Sequence, residues 1–263
     1  MKRRIVVTGA ASGIGATTAA LLEANGDEVI MLDLRQPGGS GKFVACDLGR
    51  EESIEQAVAA ISGPIDGLAN IAGLPGTHTP ERILAVNFLG TRALTLGLVG
   101  KLREGASVVL VSSIAAHRCS WTDERLQALL TAPSWVQSLA QALQTPMNGG
   151  EAYELSKRLL NFWLPEATAT FAAQGVRVNV VSPGPVDTPI LPDFRISMGE
   201  ARIDAAEQLV GRHARPEEIA HVLVFLLSGQ AGWINGIDIR VDGGLYTLRE
   251  ATERSLGSLP PLQ

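Results

Sequence analysis

Thr8-Gly9-Ala10-Ala11-Ser12-Gly13-Ile14-Gly15 is the stretch on which the reading of this chain turns. Residues 4–8 before it form a short β-branched run that predicts a buried strand. After it, Gly13 to Asn25 predicts a helix, with Gly26 as its C-terminal stop. A glycine-rich turn joining a strand to a helix lets backbone approach a pyrophosphate closely, and the helix start offers free N–H groups and a positive dipole end. Gly9, Ser12, Gly13, Ile14 and Gly15 are therefore candidate cradle residues. The next strand, over Glu28–Leu32, is followed by Asp33, 18 residues after Gly15. An acid there accepts hydrogen bonds from the adenosine ribose hydroxyls and repels a 2′-phosphate, which favours NAD over NADP. Arg35 nearby reads as a solvated side chain or a partner of Asp33.

Outward from this unit, strands and helices alternate. A strand is expected near Phe43–Ala45, a helix over Glu51–Ile61, a strand over Ile65–Asn70 and a long amphipathic helix over Pro80–Arg103. Ala106–Ser112 predicts a strand, Ala152–Gln174 a helix, Arg177–Ser182 a strand, Glu217–Leu227 a helix and Asp238–Val241 a last strand. Several strands are continuous apolar runs, which implies a parallel sheet covered on both faces. The fold class is α/β: a doubly wound parallel sheet of the Rossmann type, in one domain over residues 1–246, with a tail over 247–263. Arg35–Lys42, with three glycines and a proline, is too short to pack a crossover helix. Two segments break the rhythm. Residues 115–150 form an insertion with a helical stretch around Asp123–Thr131, and 189–212 is a polar stretch; both are expected to be pocket walls, lids or contact elements.

Composition narrows the class. The chain has 263 residues, 46% of them apolar, and a formal net charge of −5. No basic block marks a nucleic-acid partner, and no apolar stretch approaches a membrane span. Two cysteines, Cys46 and Cys119, make no disulfide framework, and four scattered histidines show no metal-ligand spacing. The apolar run behind Lys2-Arg3-Arg4 stops at Thr8-Gly9, far short of a signal peptide. A reducing, cytoplasmic setting and no metal are expected.

Tyr153-Glu154-Leu155-Ser156-Lys157 places a phenol and an ammonium on one helical face. Alcohol oxidation needs a base for the hydroxyl proton while hydride leaves for a nicotinamide. A phenol with an ordinary pKa of ~10 is too weak an acid unless opposite charge favours its ionised form. Lys157 and the cationic ring of NAD⁺ would do so. Ser113, at the end of its strand, would hold the substrate oxygen.

Together these residues resemble the classical short-chain dehydrogenase/reductase family. The resemblance runs from Thr8 to Gly244. It is carried by Thr8-Gly9-x-x-x-Gly13-x-Gly15, Asp33, Asp47-Leu48, Asn70-Ile71-Ala72-Gly73, Asn87, Ser113, Tyr153-x-x-x-Lys157, Asn179, Pro183-Gly184 and Asp242-Gly243-Gly244. It implies that Tyr153 is the general acid/base, that Ser113 positions substrate, and that Lys157 binds the nicotinamide ribose and lowers the tyrosine pKa. Asn87 would distort its helix and hold a water leading from Lys157 to solvent. Asp33 and Leu34 would lie at the adenosine ribose, Asp47 at the adenine amino group with Leu48 beside the ring, and Asn70, Ala72 and Gly73 along the adenosine-side ribose. Pro183, Gly184, Val186 and Thr188 would cover the nicotinamide half. A homodimer or homotetramer is implied, built on the helices over 80–103 and 152–174.

Three departures stand out. Ile71 replaces the usual second asparagine, which puts a sheet-bracing bond in doubt. The crossover after Asp33 is abbreviated, and Ser113 lies 40 residues before Tyr153, much further than the family commonly has. The last two, with Asp33-Leu34-Arg35, resemble the bacterial 3α-hydroxysteroid dehydrogenase/carbonyl reductases. An NAD(H)-dependent oxidoreductase for a secondary alcohol or ketone, hydrophobic and cyclic, aromatic or steroid-like, is implied. A non-catalytic NAD(H)-sensing regulator is the alternative; the presence of Asn87, Ser113, Tyr153 and Lys157 together favours the enzyme. His117, Trp121, Trp135, Met147 and Asn148 are lesser candidates for substrate contact; an exposed loop position is the favoured reading of His117, and burying the insertion against the body would use the two tryptophans equally well.

Overall fold

In the computed structural model, which describes residues 2–253, seven parallel strands form one sheet in the order β3-β2-β1-β4-β5-β6-β7. The first half of the chain supplies β1 (Arg4–Thr8), α1 (Gly13–Ala24), β2 (Glu28–Asp33), β3 (Lys42–Ala45), α2 (Glu51–Ala60) and β4 (Ile65–Asn70). The second supplies α3 (Pro80–Leu84), a π-helical turn (Ala85–Gly90), α4 (Thr91–Gly97), β5 (Leu102–Val111) and a 3₁₀ turn (Ile114–Arg118). Then come α5 (Asp123–Leu130), α6 (Trp135–Leu143), α7 (Gly149–Ala172), β6 (Arg177–Pro183), α8 (Leu191–Met198), α9 (Glu200–Val210), α10 (Pro216–Leu226), β7 (Asp238–Val241) and α11 (Leu245–Glu253).

Side chains alternate across each strand, so successive residues enter opposite cores. Ile5 and Val7 pack with Leu22 of α1 and Leu223 of α10, whereas Val6 packs with Leu94 of α4 and Leu159 and Trp163 of α7. Both faces of the sheet are thus covered, and every residue of β6 is buried. Register is set by apolar ladders: Val6 pairs with Ile30 on one side and Leu68 on the other. The strand order reverses between β1 and β4, and their carboxyl ends flank the crevice where such sheets bind ligands.

Several boundaries differ from the sequence reading. The helix expected to reach Arg103 ends at Lys101, and β5 begins at Leu102 against Ile65. Leu102 joins the sheet edgewise before the polar Arg103-Glu104-Gly105, which hid the strand's start. The helical run Pro80–Lys101 is also long and apolar enough, by length and composition, to cross a membrane, which the sequence reading had excluded of every segment. Most of it is buried in this fold. No helix forms between β2 and β3; instead the Glu23 carboxylate accepts bonds from the Ser40 amide and hydroxyl at 2.9 and 2.8 Å, tying the short crossover to α1.

The insertion contains two helices, α5 and α6, where one was expected. Leu126, Leu129, Leu130 and Ala142 are buried, and Trp121 and Trp135 pack onto the core on the α7 side. The polar stretch over 189–212 forms α8 and α9. Of the tail, α11 covers 245–253; residues 254–263 lie outside the described residues.

Candidate active site

A cleft of about 380 Å³ runs along the carboxyl ends of the strands. One end is built by the β1–α1 turn. Gly9 has φ +69°, and a Cβ there would stand 2.9 Å from the Ala72 Cα. A Cβ on Gly15 would stand 2.0 Å from the Gly9 carbonyl oxygen, so α1 meets the strand end at backbone distance. Ser12 is the N-cap of α1, and its side chain makes no cap bond. The amides of the first turn, which have no intrahelical acceptors, therefore keep their donors for a ligand. Asp33 closes this end. Its carboxylate accepts from the Ala11 amide at 3.0 Å and the Arg35 amide at 3.1 Å, while the Arg35 side chain is exposed. The cradle, the helix start and the acid fit the phosphates and ribose of a dinucleotide.

Asp47 and Leu48 lie further along the wall. The Arg82 guanidinium donates to both Asp47 oxygens, at 2.8 and 3.0 Å, and the Gly49 amide donates to one of them at 2.8 Å. Ala72 and Gly73 line the cleft, as do Leu34, Pro183, Gly184, Val186 and Thr188. Asn70, expected at the ribose, is buried behind the wall and donates to Thr95 Oγ1 at 3.0 Å. The brace that Ile71 put in doubt is supplied by Thr8, whose hydroxyl oxygen accepts from the Ile71 and Ala72 amides at 2.9 and 3.0 Å.

At the other end stand Ser113, Tyr153 and Lys157. The Ser113 hydroxyl accepts from the Ala115 amide at 3.1 Å, and Ser113 lines the cleft together with Tyr153. The Lys157 ammonium donates to the Val111 carbonyl at 2.8 Å. The Asn148–Glu151 capping box starts α7 just before Tyr153 and fixes the helix register. Burial pushes the phenol up to about 12, opposed by the hydrogen bond with Ser113 and by the Arg118 guanidinium. Burial pushes Lys157 down to about 8. The sequence reading gave the acidifying role to Lys157 together with the cationic ring of NAD⁺. Within the protein itself Ser113 and Arg118 pull the phenol down, and the Lys157 nitrogen is 5.7 Å from the phenol ring centroid.

Asn87 lies behind these residues, inside the π-helical turn. Its side chain accepts from the Leu74 amide at 2.7 Å and donates to the Leu74 carbonyl at 3.0 Å and to Ser156 Oγ at 3.1 Å. The turn is further held by Gly90, where a Cβ would strike the Leu48 carbonyl oxygen at 1.9 Å.

The lesser candidates are placed elsewhere. His117 is exposed and packs on Tyr246, with ring centroids 4.6 Å apart. Trp121 and Trp135 serve the core, with Arg125 over the Trp121 ring. Met147 packs beside Tyr153 and Ala152, and Asn148 caps α7; neither lines the cleft. The sequence reading missed the residues that do wall this end: Phe194 and Met198 of α8, Arg202 and Ile203 of α9, Leu245 and Arg249 of α11, and Arg118. Phe194 meets the Tyr153 ring edge-on, with centroids 5.0 Å apart. No local spacing links these positions; only α7, α8, α9 and α11 folding over one crevice does.

Two family profiles cover most of the chain. One described as short chain dehydrogenase matches residues 3–122, and one described as enoyl-(acyl carrier protein) reductase matches residues 134–246. The chain is 37% identical to a coniferyl-alcohol dehydrogenase from a Pseudomonas strain, over 92% of this chain and 96% of that protein. It is 31% identical to a 3α-hydroxysteroid dehydrogenase/carbonyl reductase from Comamonas testosteroni, over 95% and 98%. Among solved structures, a 3α-hydroxysteroid dehydrogenase from a Pseudomonas species, complexed with NADH, matches with a TM-score of 0.79 and 31% identity, over 97% of this chain and 100% of that one. With the parallel sheet, the glycine cradle and the Ser113–Tyr153–Lys157 cluster in place, the chain belongs to the short-chain dehydrogenase/reductase family of oxidoreductases.

Proposed function

We propose that the protein is an NAD(H)-dependent enzyme that interconverts a secondary alcohol and a ketone on a bulky, hydrophobic, ring-bearing substrate. The observation that carries this reading is Ser113, Tyr153 and Lys157 gathered on the wall of a cleft that continues to the α1 start and Asp33. A bound nicotinamide cofactor supplies the hydride acceptor or donor. Tyr153 takes the carbinol proton in oxidation and returns it in reduction. Ser113, anchored by the Ala115 amide, holds the reacting oxygen and stabilises the charge that develops on it. Lys157 keeps two ammonium protons beyond its bond to Val111, enough to hold the nicotinamide ribose. A Cβ on Gly73 would come within 3.4 Å of both that ammonium and Asn87, so the bare backbone keeps this corridor open.

The choice of NAD rests on Asp33, whose carboxylate lines the cleft beside the α1 start and would repel a 2′-phosphate on the adenosine ribose. The hydrophobic substrate class rests on Ile114, Ala115, Phe194, Met198, Ile203 and Leu245 along the far wall. The ring-bearing compounds named for the relatives above support the same class. The test is a panel of cyclic, aryl and steroid alcohols and ketones, each with NAD(H) and NADP(H). NADH-supported turnover is expected, and Tyr153→Phe should bind NADH while losing at least 10³-fold in turnover, within the range ascribed to a lost acid/base group. Near-wild-type turnover by that variant would remove Tyr153 from the chemistry.

A further inference from the structure

The substrate end of the cleft is apolar and cationic together. Arg118 from the turn after Ser113, Arg202 from α9 and Arg249 from α11 all line it. The carboxylates that line the cleft among the described residues are Asp33 and Asp47, both at the nucleotide end. Glu154, next to Tyr153 and outside the lining, faces two of these arginines. It reaches Arg118 at 3.5 Å and Arg202 at 3.9 Å. Both distances exceed the ~2.7–2.9 Å of a charge-assisted hydrogen bond, so a single carboxylate sits loosely between two guanidiniums. The three cations feel one another: Arg118 holds its proton less tightly, through burial first and then repulsion from Arg202, with Glu154 opposing and Arg249 adding. Converging guanidiniums in a half-enclosed apolar site focus a positive potential there, and their planar forks match a carboxylate.

We propose that the substrate carries a carboxylate, separated from its carbinol or ketone carbon by an apolar ring, and that Arg118, Arg202 and Arg249 receive that group. The substrate class is then a cyclic or aromatic hydroxy acid and its oxo acid. This inference rests on the dehydrogenase reading above, and the following measurements separate the two.

The ratio of kcat/KM for 4-oxocyclohexanecarboxylate to that for its methyl ester is measured with NADH, in the wild type and in the double variant Arg202→Gln/Arg249→Gln. The expected ratio is above tenfold in the wild type and close to one in the variant, with NADH affinity alike in both. A wild-type ratio near or below one overturns the proposal and leaves the dehydrogenase reading intact. So does a ratio that the double variant leaves unchanged. Loss of NADH affinity in parallel with the acid would assign these arginines to the nucleotide and also overturn it. If neither ketone is reduced, calorimetric binding of cyclohexanecarboxylate and cyclohexanecarboxamide to the NADH-loaded protein decides. At least tenfold tighter binding of the acid, lost in the double variant, sustains the carboxylate site while the proposed chemistry falls. Equal binding of acid and amide sinks the site.

Discussion

The Lys157 ammonium on α7 is tied to the Val111 carbonyl at the end of β5, 2.8 Å away, and burial holds its pKa near 8. A lysine with an ordinary value of 10.5 binds its proton more tightly in the unfolded chain. Where the unfolded state carries more protons, stability rises with pH. The charged lysine therefore opposes folding in full below its folded pKa, and that penalty is relieved as pH climbs from about 8 toward 10.5. Between pH 7 and 9.5 the relief is roughly 2 kcal/mol, from ~1.4 kcal/mol for each pKa unit. Lys157→Met should consequently be stabilised relative to wild type at pH 7, with the gap closing by about that amount at pH 9.5. Urea unfolding of the two proteins at the two pH values checks this. A gap independent of pH would mean that Lys157 titrates as an ordinary surface lysine does.

Tyr153 offers a direct spectroscopic test, because the chain has two tyrosines, Tyr153 and Tyr246. In Tyr246→Phe the tyrosinate absorbance reports on the catalytic phenol alone. Ionisation near pH 12 is expected for the protein by itself, since burial outweighs the bond with Ser113 and the charge of Arg118. Saturating NAD⁺ should lower that midpoint by at least one unit, because it sets a second cation beside the phenol. An unmoved midpoint would separate the phenol from the nicotinamide site.

The parts of this site that lie close together in sequence were legible there. The glycine turn, Asp33 at its strand end and the Tyr153–Lys157 helical spacing each occupy a single element, so local geometry determines them. The π-turn at Asn87 was reached only through the family resemblance. Its apolar periodicity reads as unbroken helix, and the cause of the distortion, Leu74 and Leu48 pressed against the helix, is tertiary. Proximity in sequence suggested substrate contact at His117, beside its favoured reading as an exposed loop residue, and at Met147. The first packs on Tyr246 from the 3₁₀ turn, and the second packs beside Tyr153 without lining the cleft. The stretch over 189–212 was legible as a pocket wall or lid, but which of its residues line the cleft was not. Its sequence is polar because one face is solvated, while Phe194, Met198 and Ile203 cover the crevice.

The contact between Gly15 and Gly9 predicts a steric failure. A methyl on Gly15 would meet the Gly9 carbonyl oxygen at 2.0 Å and its carbon at 2.6 Å, both backbone atoms that cannot swing aside. Overpacking of this kind costs ~1–3 kcal/mol or more. Gly15→Ala should lose at least about 2 °C in Tm and bind NADH at least tenfold more weakly, because α1 must retreat from the strand end. Gly38→Ala, whose added Cβ meets nothing within 4 Å, is the matched control. Thermal melts and NADH fluorescence titrations of both variants provide the check, and equal behaviour of the two would show that the turn can relax.

Cofactor choice is predicted from Asp33. Its two oxygens are pinned by the Ala11 and Arg35 amides, which prevents the carboxylate from turning away from an incoming group. A 2′-phosphate placed there would meet a fixed like charge, and that repulsion should disfavour NADP. The wild type should prefer NADH to NADPH by at least tenfold in kcat/KM, or ~1.4 kcal/mol. Asp33→Asn keeps the side-chain volume and removes the charge, leaving the exposed Arg35 as the nearest ionic group on this turn. The variant should lose with NADH, because an amide is the poorer acceptor for the ribose hydroxyls, and gain with NADPH, moving the ratio by tenfold or more. Both cofactors should be titrated against one ketone in each protein. A wild-type preference for NADPH, or a ratio indifferent to the substitution, would place the discriminating charge elsewhere in the cleft.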